Sequence, residues 1–196
     1  MLALGLDTSN YTTSAALCSS HGEIWQSRRL LPVKTGERGL RQSEAVFAHV
    51  RQLAEQVESV MKAASEPLSC VCASVSPRDG EDSYMPVFNV GEMVGRSIAA
   101  AHHVPFFTTT HQRGHIRAAK VDSGLTAEKF LALHLSGGTT ELLLVEPEGR
   151  NVRCTRFQHP VMGTYKKERL EAGRKFFSVA SGGGTGRTLH PDNMAA

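Results

Sequence analysis

Leu2-Ala3-Leu4-Gly5-Leu6-Asp7 opens the chain, followed by a small polar segment (Thr8, Ser9, Asn10, Tyr11, Thr12, Thr13) and an apolar stretch through Leu17. A second copy begins 129 residues further on, where Leu131-Ala132-Leu133-His134-Leu135 leads into Ser136-Gly137-Gly138-Thr139-Thr140 and then Glu141-Leu142-Leu143-Leu144-Val145. Each copy reads as a strand, a tight loop rich in hydroxyls or glycine, and a returning strand. Repetition at this distance predicts two similar lobes, each presenting a hairpin loop at the end of its first strand. Such loops can aim backbone N–H groups at phosphate oxygens, and two of them facing each other suit a nucleotide held between lobes. The plainer alternative is that any tight hairpin needs small residues at its turn.

With 196 residues, the chain has enough length for one large domain or two small ones. Composition is that of an ordinary globular protein, 40% hydrophobic and 21% charged, and a net charge of +3 does not by itself argue for nucleic acid. Arg28, Arg29, Lys34, Arg38 and Arg41 concentrate positive charge in one polar stretch, which reads as a solvated loop or, alternatively, as a contact for an acidic partner such as RNA. No run approaches the roughly 20 apolar residues of a membrane span, and no secretory leader pattern is present, so a cytoplasmic setting without a membrane partner is expected. Of Cys18, Cys70, Cys72 and Cys154, the middle two share one face of a predicted strand and read as reduced core residues.

Between the two copies the pattern alternates. Residues 2–7, 12–18 and 22–30 form an antiparallel meander and 31–41 a loop. Val46, Phe47, Val50, Leu53, Val57, Val60 and Met61 recur at helical spacing after an N-cap at Ser43 and before Pro67. A strand follows over Leu68–Val75, an irregular stretch over Ser76–Met85, a helix over 89–102, a short buried strand from Phe106, and a helix over about 109–120. That succession is an α/β lobe with a mixed sheet. Phe130 to Phe157 repeats the opening meander. Periodicity then fades, and beyond His159 only Leu170–Val179 suggests a short helix. The expected organisation is a first lobe over 1–128, the β-meander of an incomplete second lobe over 129–158, and a tail over 159–196. A three-stranded meander is marginal alone, so it is expected to lie against the first lobe or another chain.

His111-Gln112-Arg113-Gly114-His115 is the sharpest local signal. Histidines at i and i+4 share one helical face and can reach one metal ion. The helix starts directly after a strand, where α/β folds place their sites. No third ligand follows from spacing: Asp7, Asp79, Glu81, Asp82 and the pair His102-His103 are all candidates. Gln-Arg-Gly between the histidines lacks the glutamate that zinc peptidases use as general base.

Taken in order, Asp7-Thr8-Ser9, Val94-Gly95-Arg96-Ser97, His111-x-x-Gly114-His115 and Leu135-Ser136-Gly137-Gly138-x-Thr140 resemble the glycoprotease (O-sialoglycoprotein endopeptidase) family, whose universal members are the TsaD-type threonylcarbamoyltransferases. The resemblance covers roughly residues 2–157. It implies an actin/hexokinase/Hsp70-like (ASKHA) fold of two duplicated lobes and an iron or zinc ion on His111 and His115. It also implies a nucleotide or threonylcarbamoyl-adenylate at His134, Leu135, Ser136, Gly137 and Gly138 together with Thr8 and Ser9. Asp7 would orient a metal-bound water or the attacking amine, and the acyl group would pass to an adenosine of a tRNA. A homodimer, or a hetero-oligomer with a related ASKHA protein, is the assembly it implies.

The chain departs from that pattern in four places. Asn10-Tyr11-Thr12-Thr13 replaces an acidic, cysteine-containing loop, Thr139 stands where a histidine follows the two glycines, and residues 77–89 replace a shorter glycine-rich loop. From about His159 onward nothing matches the family, and the Gly/Arg/Lys-rich composition is that expected of a truncated or out-of-frame end. These differences predict a divergent paralogue with the fold and the histidine pair but weak or no catalysis. The competing functions are a non-catalytic ASKHA scaffold and, last, a metallopeptidase.

Overall fold

The computed structural model describes residues 1–9, 11–33, 40–80, 83–135, 140–148 and 151–156. Two compact units result, Met1–Gly114 and the residues from His115 onward. Ser136, Gly137 and Gly138, the tail beyond residue 156, and Lys34 and Arg38 of the basic stretch lie outside the described residues.

In the first unit, strands β1 (Leu2–Asp7), β2 (Thr12–Ser19) and β3 (Ile24–Leu30) form the expected meander. Strands β4 (Leu68–Ser76) and β5 (Phe106–Thr110) extend it to a five-stranded sheet of order β3-β2-β1-β4-β5. β1, β4 and β5 run parallel, whereas β2 and β3 are antiparallel. Alternation along β1 places Leu2, Leu4 and Leu6 in the core and leaves Ala3, Gly5 and Asp7 on the other face. Phe107, expected in a buried strand, is more than half exposed at the edge of the sheet. Cys70 and Cys72 are half-buried thiols and not core residues; burial still raises the pKa of Cys72.

Helices α1 (Gln42–Met61) and α2 (Phe88–His102) pack into the core cluster through Leu53 and Val60 and through Val90 and Ala99. α1 begins one residue before the expected cap. Arg41 is its N-cap, and its backbone N–H donates to the Glu44 carboxylate at 3.1 Å, so Ser43 stands inside the first turn. The larger departure is rotational. Phe47 and Val50 are 65% and 54% exposed, while His49, Gln52 and Gln56 are buried. This polar row bonds to Thr13, Ser27 and the Leu30 carbonyl of the neighbouring strands, and so occupies part of the sheet-facing stripe that spacing assigned to apolar side chains.

α2 reaches the sheet by close approach. A Cβ on Gly95 would stand 2.7 Å from the Phe106 ring, and one on Gly91 would stand 3.0 Å from Thr8 Oγ1. The helix ends at His103, whose left-handed backbone lets Val104 N–H return to the Ala99 carbonyl.

Helix α3 (His111–Ser123) crosses the division between the units. In the second unit, β6 (Phe130–Leu135), β7 (Thr140–Glu148) and β8 (Asn151–Arg156) form an antiparallel sheet of order β6-β7-β8. Its own helix supplies a cover: Ile116 packs with Leu143, Val145 and Cys154. On β6, Leu131 and Leu133 remain 57% and 49% exposed.

Candidate functional site

The carboxyl ends of β1, β4 and β5 carry the polar groups that sequence spacing left unconnected. Asp7 closes β1. Its Oδ1 accepts the Ser9 N–H at 2.9 Å, and its Oδ2 stands 2.9 Å from His111 Nδ1. Ser74 of β4 adds a further bond to the carboxylate. Burial opposes ionisation of Asp7. The hydrogen bond and charge of His111, with the bonds from Ser74 and Ser9, outweigh it and hold the carboxyl far below its ordinary 3.8. Since an ionised carboxylate only accepts, the His111 proton facing it is on Nδ1.

His111 is placed there by the junction between β5 and α3. Thr110, the last strand residue, accepts the Arg113 N–H on its hydroxyl at 3.2 Å, an N-cap bond. The Gln112 N–H donates to the Pro77 carbonyl at 3.0 Å, fixing the first turn of α3 to the segment after β4. Arg113 then pairs with Asp79 at 3.0 Å, so this candidate metal ligand is engaged by a cation. The Phe88 ring lies 6.4 Å from that of His111.

Thr8 and Ser9 were expected to meet a ligand, and the structure gives each a defined internal bond. Thr8 is fully buried; its hydroxyl donates to the Val87 carbonyl at 2.8 Å and accepts the Gly91 N–H at 3.1 Å. A threonine thereby bridges the carbonyl and amide, four residues apart, of the first turn of α2. Ser9 uses its backbone N–H to turn the chain over Asp7. Behind the same loop lies a group that spacing missed: Thr13 Oγ1 stands 2.8 Å from His49 Nδ1 and donates to Gln52 Oε1 at 3.0 Å.

His115 stands one helical turn after His111 along α3. Its ring lies 6.0 Å from that of His134. His134 faces Glu141 across the β6–β7 register, with Nδ1 3.9 Å from Oε2, and the buried Glu141 is ion-paired with Arg156. Leu135 is the last residue of β6 and pairs with Thr140. Among the described residues, no three His, Cys, Asp or Glu side chains gather into a cluster able to hold a metal. His102 and His103 end α2, and Glu81 and Asp82 lie outside the described residues.

Comparison with known proteins finds similarity to one family over part of the sequence. The tRNA N6-adenosine threonylcarbamoyltransferase of Prochlorococcus marinus (strain MIT 9313) is 33% identical over 118 residues, 59% of this chain and 32% of that protein. The enzyme of the same name from Rhizobium etli is 31% identical over 161 residues, 78% of this chain and 43% of that protein. Over part of its length the chain is similar to tRNA N6-adenosine threonylcarbamoyltransferases. It spans about a third to just under half the length of the curated relatives it matches.

Among solved structures, YeaZ from Pseudomonas aeruginosa superposes with a TM-score of 0.52 at 16% identity, covering 79% of this chain and 64% of that one. That likeness places the chain in the ASKHA fold class that the family resemblance implied, in agreement with the two similar lobes read from the repeat. A family described as GGGtGRT protein matches residues 135–196, and the chain carries the string Gly182-Gly183-Gly184-Thr185-Gly186-Arg187-Thr188. No helix among the described residues is long and apolar enough to cross a membrane.

Proposed function

We propose that the chain forms part of a nucleotide or acyl-adenylate site of the threonylcarbamoyltransferase kind, set at the carboxyl edge of β1, β4 and β5. The observation that carries this reading is the Asp7–His111 pair, a half-buried carboxylate holding one nitrogen of a histidine at the end of a parallel strand. Metal-ligating histidines commonly give their second ring N–H to a carboxylate, which fixes tautomer and orientation. The donor set at His111 therefore fits iron or zinc, with His115 one turn further along α3 as the second ligand. Such a cation, when bound, polarises the carbonyl of the acyl group.

The chain's own residues supply the rest. Asp7 fixes the His111 ring, and Ser9 holds the loop above Asp7. Thr8 staples that loop to α2. In the second unit, His134 and Leu135 end β6, and Ser136, Gly137 and Gly138, which the family resemblance assigns to phosphate or carboxylate, lie outside the described residues. A tRNA adenosine is the acceptor that the relatives' name suggests, with a related ASKHA protein as partner. The match covers under half of those relatives, so the proposal assigns this chain binding first and transfer only weakly. The match through residue 196 supports reading the tail as a genuine part of the frame.

The deciding experiment is elemental analysis of the purified full chain beside a His111→Ala/His115→Ala variant, followed by ATP titration of both. One iron or zinc per chain, lost in the variant, with nucleotide bound by the wild type, is the expected result. A metal-free wild type that binds no nucleotide overturns the reading. The exposed Leu131 and Leu133 favour a second one, a non-catalytic scaffold that associates through β6. Sedimentation of the same wild-type sample tests it: a monomer at every concentration removes the scaffold.

A further inference from the structure

His49 is a histidine with no place in the proposed chemistry, yet it is fully buried, at 0% exposure, between α1 and the strand leaving the first loop. Its surroundings fix its protonation pattern. Gln52 Nε2 donates to the Leu30 carbonyl at 3.4 Å, which orients the amide and leaves Oε1 facing Thr13. The single proton of the Thr13 hydroxyl goes to that Oε1 at 3.0 Å. The hydroxyl can then only accept from His49 Nδ1, 2.8 Å away, so the imidazole proton is on Nδ1. The other nitrogen, Nε2, is buried and makes no hydrogen bond of ordinary geometry among the described residues, although the Ser9 carbonyl is close enough to favour a proton on the ring.

We propose that His49 is a positioning residue of the β1–β2 loop: a buried, uncharged imidazole whose Nδ1–H donates to Thr13 and ties α1 to the strand that leaves the loop. That the loop meets a nucleotide rests on the proposed function; the tie itself does not. A proton added at Nε2 would create a charge inside this seam. Burial opposes that charge most strongly, while the Asp7 carboxylate and the Ser9 carbonyl favour it, and the balance leaves the group below its ordinary 6.5. Of the other charged groups on the packed elements, Arg29 of β3 pairs with Glu55 of α1 at 2.7 Å, Arg96 with Glu92 within α2 at 2.8 Å, Glu44 accepts the Arg41 N–H and Arg51 lies over the Phe47 ring. Arg28 of β3 is exposed, and Glu58 belongs to α1. An open state that hydrates His49 takes up the proton more readily than the closed one. Closure is therefore complete above pH 6.5 and is lost as the pH falls below it.

The test uses the full chain. Histidine-selective 15N spectra at pH 7.5 are expected to show His49 neutral with its proton on Nδ1. Amide exchange at Thr12 and Thr13, corrected for intrinsic rates, should report an opening constant that rises by up to about tenfold per pH unit below 6.5. His49→Asn keeps a donor near the Nδ1 position and cannot titrate, so its opening constant should be nearly flat with pH. His49→Phe removes the donor and should open the loop at every pH; if it fails to fold, the wild-type spectra and the Asn variant still decide. A charged imidazole, a proton on Nε2, or the same pH slope in wild type and His49→Asn would overturn the proposal. ATP titrated at pH 6 and 7.5 separates the two claims. Wild type that binds none at either pH removes the nucleotide reading and leaves the exchange comparison to judge the tie.

Discussion

Two helices lie on one face of the five-stranded sheet, and they are held to it by opposite means. α2 descends until its backbone nearly touches the strands, with Gly91 over Thr8 and Gly95 over Phe106. α1 stands off on a row of polar side chains, His49, Gln52 and Gln56, that bond to Thr13, to the Leu30 carbonyl and to Ser27. The first seam depends on the absence of atoms and the second on the satisfaction of every donor it buries. A seam of the first kind tolerates no added volume. One of the second kind tolerates volume but no missing partner.

Adding atoms to the close seam should have the largest effect. Gly95→Leu drives a side chain into the Phe106 ring and into Leu6 and Val71, and a loss of about 3 kcal/mol in urea unfolding is expected. A loss below about 1 kcal/mol would mean that α2 lifts away freely, and the contrast with α1 would collapse. Thr8→Val conserves shape but removes the hydroxyl between the Val87 carbonyl and the Gly91 N–H. A cost of about 2 kcal/mol is expected, since both buried backbone groups lose that partner.

The polar seam makes a different prediction, one of non-additivity. Ser27 donates to Gln56 Oε1 at 2.7 Å, so Ser27→Ala alone should cost about 1 kcal/mol. Removing both partners, as Ser27→Ala with Gln56→Leu, should recover much of that loss, because no orphaned acceptor remains. Additive losses in the double-mutant cycle would show that packing, and not hydrogen bonding, holds α1 down.

Acid stability sharpens the same contrast at the loop between the two seams. Asp7 is ionised in the folded protein to well below its ordinary 3.8, so its pairing with His111 stabilises the fold above that pH and is lost as pH falls below it. Asp7→Asn should therefore be less stable than wild type at neutral pH, with the difference shrinking on acidification below pH 3.8. A difference that does not change with pH would assign the Asp7 effect to shape alone.

How much of this was legible in the residues differs between the two seams. The strand-loop-strand repeat, the helix between Pro67 and Pro105, and the His111-to-His115 spacing follow from local pattern, and the structure places β1, β6, α2 and α3 accordingly. Gly95 stood out only as part of the Val94-Gly95-Arg96-Ser97 motif, and its close approach to Phe106 is visible only in the structure. The α1 seam could not. Its partners lie 36 residues apart for Thr13 and His49 and 29 for Ser27 and Gln56, and periodicity ranks residues by hydropathy without knowing which polar groups will find each other. The Asp7–His111 pair joins residues 104 apart, and only the parallel alignment of β1, β4 and β5 brings them together.

The smallest effect is expected where that misreading was sharpest. Phe47 was placed in the core by spacing, and the structure leaves it 65% exposed with the Arg51 guanidinium 5.9 Å above its ring. An exposed cation–π contact is worth about 0.5–1 kcal/mol, and a surface substitution elsewhere on a helix usually falls within about 0.5 kcal/mol. Phe47→Gln removes the contact and adds a residue of higher helix propensity. The two changes offset, so unfolding in urea should shift by no more than about 0.5 kcal/mol. A loss of about 3 kcal/mol, the size expected for a buried phenylalanine, would restore the apolar face that spacing suggests and rotate α1 back. The polar seam beneath it would then lose its support, since His49 and Phe47 cannot both face the sheet from positions two apart on one helix.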